Sequence, residues 1–450
     1  MISNRIVITS ILFFSLTFCG YAQPDSCHFD QSIADLMNQV SRSNIDNHIR
    51  ILSDAGGHET RVSYTEGNEW SVHYIKETFE SFPGLTSVEF DTFYIAGSPA
   101  PYDTIPLVNV VATLLGSGGE SQYYVVGGHL DATGNLDGSL NWDTDWPTAK
   151  AQGADDNASG VAATMEIARI LSDPANTFNS HKTIKFVAFG AEERHPAYNN
   201  NNHKGSQHFV HNAFVRSDHI LGAYIVDMIG YNETGNDYFN IVSNTDSRDL
   251  GRRVLQTRSA YGIDIGGNME PFPDPTYSDH DQFWIYRYPA ILIIENAPPW
   301  QNNPPWYGRN PYYHRESDLP GTINISQVQK IAQLILGSVA CLSNVVTGIE
   351  SPETAALPGS FRLLESYPNP FNPGTNIRYQ LSKSGTVTLK IFDVNGREVT
   401  QLVNQKQSAG DHAIYWTAVD DLGNDLSSGL YIISLTVGQE QQTQKIALIR

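Results

Sequence analysis

The chain has 450 residues, 40% of them apolar and 17% charged, and a net charge of −20. It is long enough for two or more domains, and too apolar and too weakly charged to be disordered. The acidity lies before residue 363, because residues 363–450 carry 7 Lys/Arg against 8 Asp/Glu; such an acidic body disfavours nucleic acid as a partner.

At the N-terminus, Arg5 precedes the apolar stretch Ile6 to Phe18, and Gly20-Tyr21-Ala22 offers small residues before a cut. Residues 1–22 therefore read as an export signal cleaved after Ala22, which places the mature chain outside the cell or on its surface, by way of the periplasm. Two cysteines would remain, Cys27 and Cys341. Export permits a disulfide between them, and two buried thiols fit the sequence equally well.

Residues 30–82 read as helical, with Ile33, Leu36, Met37 and Val40, then Trp70, Tyr74, Ile75 and Phe79, at helical spacing. Strand-like runs follow at Ile105–Leu115, Gln122–Gly127, Thr183–Phe189, Ile220–Val226 and Pro289–Ile294. Helical patterns lie between and after them at Gly160–Leu171, Gly205–Val210, Ser247–Tyr261 and Ser326–Leu342. Alternation of this kind predicts an α/β domain over residues 23–347, with a mixed, mostly parallel sheet and helices on both faces. Polar loops at Thr133–Gln152, Arg194–Lys204 and Asn296–Tyr313 are either walls of a site or plain insertions. A linker spans residues 348–362. Beyond it, short strands and the turn signal Asn395-Gly396 predict a small all-β, immunoglobulin-like sandwich over residues 363–450.

Ligands in α/β sheets bind beyond the carboxyl ends of the strands, and four strand ends here carry acids or imidazoles. His129 and Asp131 are two residues apart in an extended segment, where a carboxylate can accept a ring N–H and leave the other nitrogen for a metal. Asp155 and Asp156 lie in a Gly- and Ala-flanked turn at the start of a helix. Glu192 and Glu193 follow an apolar strand; two adjacent carboxylates there repel unless one ligates a metal and the other stays free as a base. Asp227 ends another apolar strand, and His280 and His314 come later. Imidazole and carboxylate donors of this kind suit zinc, and five residues with one bridging can hold two ions.

The set resembles the zinc aminopeptidases of metallopeptidase family 28, the bacterial leucyl aminopeptidase type, over residues 30–345. The most specific parts are Gly153-Ala-Asp-Asp-Asn-Ala-Ser-Gly160 and Gly190-Ala-Glu-Glu193. The resemblance implies two zinc ions per chain, one on His129, Asp156 and Asp227 and the other on Asp156, Glu193 and His314. It implies Glu192 as general base and acid, Asp131 as the group that orients His129, and a cis peptide at Asp156–Asn157. It places Ser278-Asp279-His280 near the substrate without making His280 a ligand. The implied activity is removal of N-terminal residues from peptides with a free amine. The segment after Glu193 and the loop at 296–313 depart from the family pattern and bear on side-chain preference.

Two other readings stay open. A carboxypeptidase of the same fold would need a basic clamp, and Arg309 and Arg315 lie near the last loop. A non-catalytic surface binding protein would be expected to lack Glu192 or a ligand. At the C-terminus, Tyr367-Pro-Asn-Pro-Phe-Asn-Pro373, Ile391-Phe-Asp-Val-Asn-Gly-Arg397 and Ser428-Gly-Leu-Tyr431 resemble a type IX secretion sorting domain, which implies the outer-membrane secretion machinery as a partner.

Overall fold

The computed structural model describes residues 27–450 apart from 177, 199–200, 233–234, 270–276, 297–309, 345–360, 364–365, 367–370, 382, 395, 409, 421–423, 439 and 450. The export signal at 1–22, Arg309, Asn395, and most of the 296–313 loop, of the linker and of the Tyr367–Pro373 motif lie outside the described residues. The chain divides into two compact units, Met1–Thr347 and Gly348–Arg450.

The first unit opens with three helices, α1 (Gln31–Met37), α2 (Arg42–Asp54) and α3 (Glu66–Glu80). Each starts where a side chain caps free N–H groups: Asp30, Ser41 and Thr65 accept from Ser32, Asn44 and Asn68. The strands are β1 (Ser87–Phe93), β2 (Leu107–Leu114), β3 (Gln122–His129), β4 (Thr183–Phe189), β5 (His219–Val226), β6 (Tyr238–Ser243), β7 (Gly266–Met269) and β8 (Ala290–Ile294). They form one 8-stranded sheet in the order β1-β2-β4-β3-β5-β8-β6-β7. The central pairs β4–β3, β3–β5 and β5–β8 are parallel, and β1–β2, β2–β4 and β8–β6 are antiparallel.

The remaining helices are α4 (Trp142–Asp145), α5 (Gly160–Ser172), α6 (Lys204–Val215), α7 (Arg248–Tyr261), α8 (His280–Ile285) and α9 (Ile325–Asn344). Side chains alternate along the central strands, so both faces of the sheet are covered. On β5, Tyr224 and Val226 join the core formed with α1, α2, α3, α5, α7 and α9, while Ala223 and Ile225 join the core formed with α6 and α8. Helix α9 is long and apolar enough to cross a membrane by length and composition, and Val328, Ile331, Leu334, Ile335 and Val339 bury its apolar face in the first core. Cys27 and Cys341 form a disulfide with Cα atoms 5.9 Å apart, tying the segment before α1 to α9.

The second unit holds β9 (Phe361–Leu363), β10 (Thr375–Leu381), β11 (Gly385–Asp393), β12 (Glu398–Gln407), β13 (Gly410–Trp416), β14 (Gly429–Val437) and β15 (Glu440–Leu448). A three-stranded sheet, β13-β10-β9, and a four-stranded sheet, β12-β11-β14-β15, share one core that includes Ile377, Tyr379, Leu389, Ile391, Ile433 and Leu435.

Candidate metal centre

Three parallel strands deliver acids and imidazoles to one end of the sheet. His129 is the last residue of β3, Asp227 directly follows β5, and Glu192 and Glu193 follow β4 after Gly190 and Ala191. Asp156 comes from an irregular turn, Ala154–Ser159, that enters α5. That turn is stitched to the end of β5. The Asn157 side chain donates to the Val226 carbonyl at 2.8 Å, and its oxygen accepts from Gly160 and Met228. The Asp156–Asn157 peptide is cis. Gly153 enters the turn with φ +55, and a Cβ there would lie 2.2 Å from the Asp156 carbonyl oxygen, so only glycine fits.

Asp156 faces both imidazoles through separate oxygens. Its Oδ1 is 3.1 Å from His129 Nε2, and its Oδ2 is 3.3 Å from His314 Nε2. Asp227 Oδ1 lies 3.3 Å from the same His129 nitrogen, and Glu193 Oε2 lies 3.2 Å from the same His314 nitrogen. The far nitrogens are engaged elsewhere: His314 Nδ1 with Asn135 Oδ1 at 2.9 Å, and His129 Nδ1 with the main-chain oxygen of Asp131 at 3.1 Å. All five side chains thus converge, and each imidazole turns its Nε2 toward the carboxylates.

Asp131 sits differently from its expected place. Its carboxylate is 3.8 Å from His129 Nδ1, because its two oxygens accept the main-chain N–H groups of Glu192 and Glu193 at 3.0 and 3.1 Å. It holds the Glu192-Glu193 turn, and its backbone rather than its carboxylate bonds His129. Asp155, the other half of the Asp pair, turns away from the imidazoles to accept from Gly230 N–H and Asn310 Nδ2, both at 2.7 Å. Asp318 accepts the N–H groups of Asp155 and Asp156, each at 3.0 Å.

Arg61 and His203 carried no signal in the sequence, whereas Asp279 and His280 lie in the block that the family resemblance placed near the substrate. Arg61 is buried and donates to the main-chain oxygens of Leu52, Leu130, Gln152 and Gly153, joining the loops that carry His129 and Asp156. Burial lowers it to about 10, against the pull of Asp318 and Asp156. His203 pairs with Glu192. Asp279 and His280 are fully buried, and Asp279 is pushed up to about 8 by burial and then by Glu192. The cavity over the cluster has a volume of about 330 Å³, with Leu136, Met228, Tyr277 and Ile294 as its apolar lining and Arg194 as a cation.

The donor set fits a cation. His129, Asp156 and Glu193 each offer a ligand atom within 4.8 Å of the others, and Glu193 Oε1 is buried without a hydrogen-bond partner. Burial and then Asp156 push the Glu193 carboxyl up to about 8. Burial opposes protonation of His314, but Glu193 and Asp156 outweigh it and raise the ring to about 10. Nitrogen and carboxylate-oxygen donors of this kind match zinc.

A mixed α/β sheet with such a donor set at its strand ends defines a class of α/β proteins built to hold a metal there. Within that class, the chain belongs to peptidase family M28, whose model matches residues 109–339. A second model, the FlgD Ig-like domain, matches residues 371–441. A probable zinc metalloprotease of Pyrenophora tritici-repentis is 30% identical over 174 residues, 37% of this chain and 38% of that protein. The uncharacterized protein YfbL of Escherichia coli is 26% identical over 299 residues, 61% of this chain and 79% of that one. The chain spans less than half the length of the first curated relatives it matches. Among solved structures, the Legionella pneumophila LapA aminopeptidase superposes with a TM-score of 0.55 at 19% identity, covering 76% of this chain and 80% of that one. Glutaminyl cyclase of Porphyromonas gingivalis gives 0.50 at 20% identity, covering 66% and 97%. These likenesses establish the fold, which aminopeptidases and a cyclase share.

Proposed function

We propose that the chain is a zinc-dependent aminopeptidase. The observation that carries this reading is Asp156, one carboxylate that meets two imidazoles through two oxygens, each position completed by a further carboxylate. His129, Asp156 and Asp227 would hold one zinc, and Asp156, Glu193 and His314 the other. The chemistry that bound zinc supplies is polarisation of a carbonyl oxygen and a lowered pKa for water. Glu192 lines the cavity beside this set and takes the proton of the attacking water, then passes it to the leaving amine. Burial raises the Glu192 carboxyl, but the imidazoles of His129 and His203 outweigh it and hold it below the usual value in the absence of metal. Asp131 keeps Glu192 and Glu193 in register through their N–H groups. The acidic cavity suits a free ammonium at the substrate N-terminus. The likeness to a probable zinc metalloprotease and to an aminopeptidase agrees with this reading.

The test is a panel of aminoacyl-chromogenic amides, free and N-acetylated, given to the full chain with and without chelator. Hydrolysis of the free amides alone, lost with chelator, restored by zinc and reduced about 10²- to 10⁴-fold by Glu192→Gln, supports the aminopeptidase. Cleavage of N-blocked peptides from the carboxyl end instead would establish a carboxypeptidase.

Residues 1–22 and 363–450 are proposed to direct export, the first as a cleaved signal and the second as a type IX sorting domain. The immunoglobulin-like fold of the second unit agrees with that role. In a host with type IX secretion, deletion of 363–450 is expected to retain the protein in the periplasm; unchanged release would leave the unit as a plain β-module.

A further inference from the structure

We propose that His203 is a positioning residue for Glu192, clamping one oxygen of the base between the imidazole and the cavity while Asp281 anchors the ring from behind. The proposal rests on the reading of Glu192 as the base. His203 Nε2 lies 3.0 Å from Glu192 Oε1, and His203 Nδ1 lies 3.0 Å from Asp281 Oδ2 and 3.1 Å from Oδ1. All three side chains are buried. An ionised carboxylate can only accept, so a ring held between two of them donates from both nitrogens. Such charge-assisted bonds are about twice as strong as neutral ones. The Asn202 Nδ2 also lies 2.9 Å from His203 Nε2, so a ring that donates there requires this amide to turn its oxygen to the ring.

The backbone is built to deliver this ring. After the Asn-rich excursion the chain returns alongside the Glu192 strand end, with His203 N–H donating to the Glu192 carbonyl, Lys204 to Ala191 and Gly205 to Gly190, at 2.8, 2.8 and 2.9 Å. His203 takes φ +54, a left-handed conformation unfavourable for a residue with a Cβ and worth accepting where the side chain has a task. Asp281, in the first turn of α8, receives a second bond from Gln282 Nε2 at 2.7 Å, which fixes the carboxylate that holds the ring. Burial alone would strip the ring of its extra proton, but Glu192 and Asp281 outweigh it and raise His203 to about 11. The consequence is a Glu192 carboxylate with one oxygen committed to His203 and the other free for the reacting water. Without His203, the carboxylate can rotate away from the productive geometry, and such small misplacements slow chemistry more than they weaken binding.

The experiment compares the zinc-loaded full chain with His203→Ala, His203→Gln and Asp281→Asn, measuring kcat, KM and zinc content together. His203→Ala is expected to lower kcat about 10- to 10²-fold with KM and zinc content unchanged. His203→Gln, which keeps one N–H donor, recovers part of that loss. Asp281→Asn, which keeps an acceptor for Nδ1, loses less than His203→Ala and carries the test if His203→Ala does not fold. A second readout needs no turnover: the slowly exchanging imidazole N–H proton resonances of the zinc-free chain should vanish in His203→Ala and move in Glu192→Gln. Wild-type kcat in His203→Ala, or resonances indifferent to Glu192→Gln, would overturn the proposal. If no amide is hydrolysed by the wild type while the resonances follow Glu192→Gln, the pairing stands and the aminopeptidase reading fails.

Discussion

Asp156 and its neighbour Asp155 are chemically identical and adjacent, yet they face opposite ways. The direction of each is decided by the turn around them: Gly230 N–H and Asn310 draw Asp155 aside, while Asn157, bonded to the Val226 carbonyl, pins the turn so that Asp156 meets both imidazoles. Close approach of this turn to β3 depends on Gly128, where a Cβ would sit 2.3 Å from the Val226 carbonyl oxygen and 2.7 Å from Asn157 Nδ2. Neither atom can retreat without breaking the bond between them. Gly128→Ala is therefore expected to cost about 1–3 kcal/mol of stability in denaturant titration, and to weaken zinc binding along with it. The convergence of His129, Asp156, Glu193, Asp227 and His314 was partly legible from acids and imidazoles at strand ends, whereas the choice of Asp156 over Asp155 and of His314 came from the family resemblance. Arg61 and His203 were not legible, since nothing in a lone Arg or in an Asn-rich loop tells which main-chain oxygens or carboxylate it will meet. The placement of Asp131 was half legible: its proximity to His129 follows from spacing, but its bonds to Glu192 and Glu193 N–H groups depend on β4 lying beside β3.

At the scale of elements, the buried strands β3, β4, β5 and β8 could be read from apolar runs with little error at their ends. The edge strands β1 and β7, and β6 beside β7, were missed. β1 is mixed in polarity and half exposed, β7 has only four residues, two of them glycine, and β6 owes its pairing to β8, a partner distant in sequence. In the second unit β12 follows the Asn395-Gly396 turn signal in sequence, with half of its side chains exposed. Helix α9 carries two long-range ties. The Cys27–Cys341 disulfide closes most of the first unit, and the double substitution Cys27→Ser/Cys341→Ser is expected to cost about 2–4 kcal/mol, read as a lowered melting temperature. At its other end, Asp237 bonds Lys330 at 2.7 Å, Asn324 at 2.8 Å and Ser326 at 3.0 Å. Burial pushes this carboxyl up, but those three bonds outweigh it and hold it below the usual carboxylate range. A depressed folded-state pKa adds stability that is present above the unfolded value of about 4 and is lost as pH falls through the folded one. Asp237→Asn should thus destabilise the protein at neutral pH and flatten its acid unfolding below about pH 4; an acid limb identical to wild type would contradict the assignment.

Across the whole molecule, most of the net negative charge and the candidate metal-ligating residues lie in the first unit, while residues 363–450 are near neutral. The all-β pattern and the match to an immunoglobulin-like model agree on the fold of the second unit. Family membership places residues 109–339 in peptidase family M28, and a fold shared by aminopeptidases and a cyclase leaves the chemistry to the donor set. The central claim is that Asp156 serves two metal positions at once. Its most direct test is the zinc content of the full chain after chelator stripping and reconstitution, by elemental analysis, beside Asp156→Ala. The account predicts two zinc ions per wild-type chain and at most one in Asp156→Ala. One zinc in the wild type, or two that survive Asp156→Ala, would contradict it.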